Sequence, residues 1–283
     1  MYESGKSKLT IEAYRFDLCG FSNWLRKRNI SFFPSSRSDM EEYILSLTER
    51  GLKPITISRH MSSLRIFFNY LVDESIFTTN PMDDIPLPKV QSERPQSLTE
   101  KEVRLMLRVP NVIDPIGYRN RVMLELLFST GIKTSELISI KMSQMKLDEH
   151  VLQIAKEGLP EQLLPLDDRV CALLNSFIKV QRLEILLERG SDYLFPTRRG
   201  DRMTRQAFWY LFGKCSKAAG MNKKVTPSAA RHTFAIRLLE EGKSQEAVSK
   251  LLLLSDASAV RKIYGYVEKI SKPKAGSLLA LDT

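Results

Sequence analysis

Residues 226–235 read TPSAARHTFA. Thr226 and Pro227 make a helix start, because threonine suits the N-cap and proline suits the first turn, where no amide hydrogen is needed. Ser228, Ala229 and Ala230 follow, and only then Arg231 and His232. Small side chains in a first turn let a helix N-terminus approach a phosphate closely. An arginine one turn in adds a planar, two-pronged donor for the same oxygens. The stretch reads either as an anion-facing helix start or as a plain cap followed by an interhelix ion pair. The rest of the chain has to decide between them.

The chain has 283 residues, a net charge of +10 and three cysteines. That length allows one large domain or two ordinary ones. The basic excess favours a polyanion, either nucleic acid or an acidic membrane surface. Cys19, Cys171 and Cys215 are odd in number and far apart, which argues against a zinc site and for reduced thiols. With only three histidines, a histidine-rich metal site is disfavoured too. No run reaches the ~18 apolar residues of a membrane span, and the polar N-terminus lacks an apolar signal core. A cytoplasmic protein without metal is expected.

Upstream of the quoted stretch, periodicity predicts helices. Ile11, Tyr14, Leu18, Phe21 and Leu25 alternate steps of three and four, which makes one apolar face, with Thr10 as N-cap. A second helix is expected from Asp39, with Glu42 completing a capping pattern. A third carries the seam Ile57, Met61, Leu64, Phe68 and Leu71, with Arg59 and Arg65 off it. Those arginines suit a DNA backbone or a solvated face. Pro81, Pro86, Pro88 and Pro95 then break the periodicity, as an extended joint does. Thr99 and Glu102 form a capping box, with Leu98 able to staple to Val103. The expected organisation is a helical domain over residues 1–88, a linker over 89–97 and a second domain over 98–283.

The second domain reads as mixed. An apolar helix is stopped by Gly131, and a short helix follows it. Apolar runs split by KEGLP (residues 156–160) predict a small β-meander; the remainder is helical. Arg198, Arg199, Arg202 and Arg205 lie in a loop leading into a helix. Such a cluster suits phosphates and guanine edges. The fold class is therefore mainly α with a small β-meander.

Three motifs occur in order: STGIKTSEL (129–137), TPSAARHTFAIRLLEEG (226–242) and LLLLSDASAVRKIYGYV (251–267). Behind a small helical domain and a linker, and with the β-meander between the first two, they resemble the tyrosine recombinases of the Xer and phage-integrase type. The resemblance covers nearly the whole chain. It implies an N-terminal helical core-binding (SAM-like) domain and an α+β catalytic domain. It also implies breakage and rejoining of double-stranded DNA through a phosphotyrosyl intermediate, with no cofactor, by four protomers on paired sites. Without a metal, arginines must stabilise the charge on the phosphoryl oxygens.

Carried over residue by residue, the resemblance makes Tyr264 the nucleophile, with Tyr266 the alternative two residues on. Arg231 matches the second catalytic arginine, and His232 fits beside it. Lys133 stands where the family has its first arginine, keeping the charge but not the fork. Ser228 stands in place of a histidine. Pro160 falls at the hairpin lysine position, and only a shifted turn brings Lys156 into play. Ser255 falls at the last histidine or its tryptophan substitute. Such a set implies impaired activity, the alternative being an inactive DNA-binding architectural or regulatory protein. The resemblance does not fix whether it serves DNA integration, inversion or dimer resolution.

Overall fold

A computed structural model describes residues 8–31, 36–88, 95–156, 159–254 and 257–271. The chain divides into two compact units, Met1–Glu93 and Arg94–Thr283.

The first unit holds helices α1 (Lys8–Lys27), α2 (Arg37–Glu49) and α3 (Pro54–Asp73). Its core gathers Phe21 and Leu25 of α1, Met40, Tyr43 and Leu47 of α2, and the whole α3 seam from Ile57 to Leu71. The α3 seam and the Leu18–Leu25 end of the α1 seam were legible because they follow the helical period, whereas Ile11 and Tyr14 lie outside this core. The helix starts differ from expectation. Helix α1 already runs at Lys8, so Thr10 lies inside it. Helix α2 is capped by Ser36, with Asp39 as the reciprocal partner in place of Glu42. The shorter aspartate reaches both the Ser36 amide and hydroxyl at 2.7 Å.

A buried polar cluster joins α1, α2 and α3. Asp17 is fully buried on the apolar side of α1. Its carboxylate accepts from Arg59, lies 3.2 Å from His60 Nε2 and accepts from Ser63 at 3.3 Å. His60 Nδ1 meets the Tyr43 hydroxyl at 3.2 Å. Burial lowers the His60 pKa, against the pull of Asp17. Arg59 therefore braces the unit from within, its guanidinium also donating to the Ala13 carbonyl. Arg65 likewise donates to the carbonyls of Met82 and Ile85, where it ties α3 to the segment beyond it. Both arginines were read as candidates for a phosphate backbone; in the fold their donors serve main-chain carbonyls and a carboxylate.

The second unit opens with α4 (Glu100–Arg108), whose Thr99–Glu102 capping box forms as expected. Leu98 is buried, and Val103 packs on the same core. Helix α5 (Pro115–Thr130) is buried along most of its length and ends at Gly131, whose φ of 62° is left-handed. A side chain there would meet the Phe234 ring at 2.6 Å, so glycine answers both a backbone and a packing demand. After α6 (Thr134–Leu137) come β1 (Met145–Lys146), β2 (Val151–Lys156) and β3 (Leu159–Pro165), paired antiparallel in that order. This is the expected meander.

Helices α7 (Asp168–Ser176) and α8 (Arg182–Leu186) are joined by a widened turn. The chain then continues through α9 (Arg205–Ala218), α10 (Pro227–Glu240), α11 (Gln245–Leu251) and α12 (Ala257–Ser271). A separate apolar cluster joins the last three: Phe234, Ala235, Leu238 and Leu239 of α10, Val248 and Leu252 of α11 and its cap, and Val260, Tyr264 and Val267 of α12. No helix among the described residues is long and apolar enough to cross a membrane.

Asp17→Ala is expected to destabilise the protein by about 3 kcal/mol, the lower end for an uncompensated buried ion partner, since Arg59 stays partly hydrated. Urea unfolding read by tryptophan fluorescence, with Trp24 packed on this core, checks it.

Candidate functional site

Arg231 lies on the second turn of α10, and its guanidinium reaches two helix ends. One nitrogen donates to the Gly131 carbonyl at 2.7 Å, where α5 stops; another donates to the Leu252 carbonyl, at the cap of α11. Both carbonyls belong to the negative ends of their helices. Burial lowers the Arg231 pKa, while Glu136 and Tyr264 act the other way. An arginine stays charged through such a shift. Two donated hydrogen bonds leave further N–H groups of the fork available.

His232 follows on the same helix. Its Nδ1 lies 2.6 Å from the Tyr264 hydroxyl on α12. Tyr264 is only 2% exposed, and its ring packs at 61° to the imidazole. Burial pushes the Tyr264 pKa up to about 12, with the Arg231 charge opposing and Tyr266 adding to the rise. Burial also lowers the His232 pKa, and Arg231 lowers it further. The imidazole is therefore neutral near pH 7. Tyr266 is half-buried beside the same apolar cluster.

Three of the positions read from sequence thus converge: Arg231, His232 and Tyr264 form one continuous arrangement. Lys133 is exposed on the corner that Arg231 holds, two residues beyond Gly131. Its amide donates to the Glu136 carboxylate at 3.1 Å. Ser228 is exposed in the first turn of α10. Thr226 occupies the N-cap, but its side chain makes no capping bond; instead the Ala229 amide donates to the Thr226 carbonyl at 2.9 Å.

On the hairpin, Lys156 pairs with Leu159 across the turn, so its backbone flanks the tip. The register slips by one between Ile154 and Lys156, which inserts an extra residue in β3 around Pro160. A bulge suits proline, which has no amide to give to the ladder. Ser255 lies outside the described residues.

Arg198, Arg199, Arg202 and Arg205 are all exposed. Their side chains have no hydrogen-bond or ion-pair partner among the described residues. Two aromatics on the helix that follows escaped the sequence reading: Trp209 and Tyr210, 48% and 72% exposed, with Lys224 over the Trp209 ring at 5.6 Å. Their signal was a tryptophan and tyrosine side by side, of which a helix of this period can bury only one face. No group of histidine, cysteine, aspartate and glutamate among the described residues could hold a metal ion.

The chain thus pairs a small helical unit with a second unit that holds a three-stranded meander and a buried tyrosine bonded to the histidine beside Arg231. The chain belongs to the phage integrase family. The family profile matches residues 96–269, and that of the phage integrase N-terminal SAM-like domain matches residues 1–75. Tyrosine recombinase XerD of Pseudomonas putida is 35% identical over 94% of this chain and 89% of its own length. XerD of Oceanobacillus iheyensis is 33% identical over 94% and 90%. Among solved structures, XerH recombinase bound to palindromic difH substrate matches with a TM-score of 0.77 at 20% identity, over 93% of this chain and 78% of that one. The Tn1549 transposon integrase with circular intermediate DNA matches at 0.74 and 21%, over 93% and 92%. These likenesses establish the fold.

Burying a neutral histidine makes stability depend on pH with a definite sign. The unfolded chain takes up the His232 proton below about 6.5, while the folded chain resists it. Stability is therefore expected to fall as pH drops through that value, and His232→Asn should shrink the fall. His60 pushes the same way, so the difference between wild type and variant in urea midpoints at pH 7.5 and 5.5 is the measurement.

Proposed function

We propose that this protein binds double-stranded DNA and exchanges strands at a specific site through a phosphotyrosyl intermediate on Tyr264. The observation that carries the reading is the hydrogen bond of the Tyr264 hydroxyl with His232 Nδ1 at 2.6 Å, on the helix turn that also carries Arg231. The remaining donors of Arg231, with Lys133 at the same corner, bear the charge of the attacked phosphate. The exposed arginines from Arg198 to Arg205, with Trp209 and Tyr210 beside them, hold the duplex. The catalytic domain is taken as residues 98–283 and the core-binding domain as 1–88. Oligomerisation to four protomers on two duplexes, and a cytoplasmic setting, go with this reading.

Activity is impaired in this proposal. A lysine at Lys133 cannot make a two-pronged contact, and Ser228 supplies no imidazole. Each missing donor costs ~10²–10³-fold in rate, although such costs do not simply add. The second reading, a DNA-binding protein that no longer cleaves, is favoured by one observation: Tyr264 is buried at 2% exposure, and an attacking oxygen has to meet a phosphate.

Single-turnover incubation with nicked suicide duplexes separates the two. The proposal expects a slow covalent adduct on a denaturing gel that disappears in Tyr264→Phe. Gel shifts with no adduct on any bound duplex would support the architectural reading instead. Substituting Arg198, Arg199 and Arg202 together with alanine is expected to weaken DNA binding at all sequences. The slope of log K against log salt should fall by ~1 for each phosphate that the variant no longer neutralises, as read in a salt series of gel shifts.

A further inference from the structure

Resting on the phosphotyrosyl reading, we propose that His232 is the proton acceptor for Tyr264. A phenol attacking a phosphate must lose its proton as the new bond forms. Among the described residues, His232 is the group hydrogen-bonded to that hydroxyl, with Nδ1 at 2.6 Å. This is the distance a general base needs. The imidazole is in its basic form at neutral pH, because burial and the Arg231 charge hold its pKa below the ordinary value. With Tyr264 donating, Nδ1 carries the lone pair and Nε2 the hydrogen.

Among the described residues, other charged or titratable groups act on the pair and on Arg231. Arg231 faces both from the same helix, Tyr266 acts on Tyr264 from α12, and Glu136 acts on Arg231 from α6. None of these is bonded to the hydroxyl. His232 also stands four residues after Ser228, on the same side of α10. The helix thus presents an imidazole one turn beyond the serine.

The Tyr264 O–H bond breaks and its proton passes to His232 Nδ1. The tyrosyl oxygen bonds to phosphorus while the bond to the sugar oxygen breaks, and that oxygen takes a proton from water. On rejoining, the sugar hydroxyl attacks phosphorus and gives its proton back to the hydroxide left in water, the bond from phosphorus to the tyrosyl oxygen breaks, and the imidazolium returns its proton to that oxygen. Because phenol and imidazole lie far apart in basicity, transfer runs together with attack. The nearby positive Arg231 discourages a lasting imidazolium, which favours the return.

Two variants test this. His232→Asn can keep an accepting oxygen on the phenol but cannot take a proton, and His232→Ala leaves room for added imidazole. Adduct formation on a randomised pool of nicked suicide duplexes is followed from pH 5.5 to 8.5. Gel shifts and circular dichroism establish that each variant folds and binds. The expected result is a wild-type rate that falls with acid and a His232→Asn rate ~100-fold lower and nearly flat with pH. Imidazole should partly restore His232→Ala. Wild-type adduct with both variants within about threefold of it and an unchanged pH profile would overturn the role of His232 alone. No adduct from the wild type on any bound duplex would overturn the phosphotyrosyl reading and the proton step with it.

Discussion

The guanidinium of Arg231 bridges two helix ends, and the second unit is organised around that bridge. By donating to Gly131 and Leu252, it fixes α10 against the end of α5 and the end of α11. Each carbonyl is otherwise an orphan at a helix terminus, so the arginine satisfies groups that water would have to reach. The bridge needs α5 to stop with its last carbonyl turned toward α10, which the left-handed Gly131 provides. It also needs small residues ahead of Arg231: Ala229 and Ala230 are buried there and let α10 lie close. The apolar cluster under α10, α11 and α12 then carries Tyr264 to His232.

That arrangement separates two demands. The charge that would meet a phosphate is held by two backbone carbonyls, with no carboxylate bonded to its guanidinium among the described residues. The phenol is held by burial and one hydrogen bond, which keeps it protonated and in register. A phenol kept this way is positioned but stays protonated. The basic surface from Arg198 to Arg205 is the opposite case: exposed, unpaired among the described residues, and available to any polyanion. In the proposed function, DNA binding and chemistry thus rest on different physics, long-range charge for one and a buried geometry for the other.

The same contrast appears in the first unit. Asp17 sits on a helix face that its period marks as core, where a carboxylate is costly. It is tolerated because Arg59, His60 and Ser63 converge on it from α3. Arg59 and Arg65 looked open to a phosphate because sequence displays a charge without its partner. Their partners lie 42 residues away for Arg59, and 17 and 20 away for Arg65, a separation that no local pattern reports.

Local rules carried much of the fold. The α3 seam, the Thr99–Glu102 box, the stop at Gly131 and the meander all depend on residues within a few positions of one another, so the sequence alone determined them. The order of three motifs around Arg231 and Tyr264 likewise pointed to the family. Tertiary structure decided what the polar groups do. Thr226 stands at its cap without bonding through its side chain, and the β3 bulge absorbs Pro160. Arg231 spends donors on two carbonyls, and His232 meets the phenol. The physical reason is that helix period and capping are short-range and nearly independent of the rest of the chain. A buried polar group, in contrast, takes its energy from whichever partner the packing of distant helices delivers.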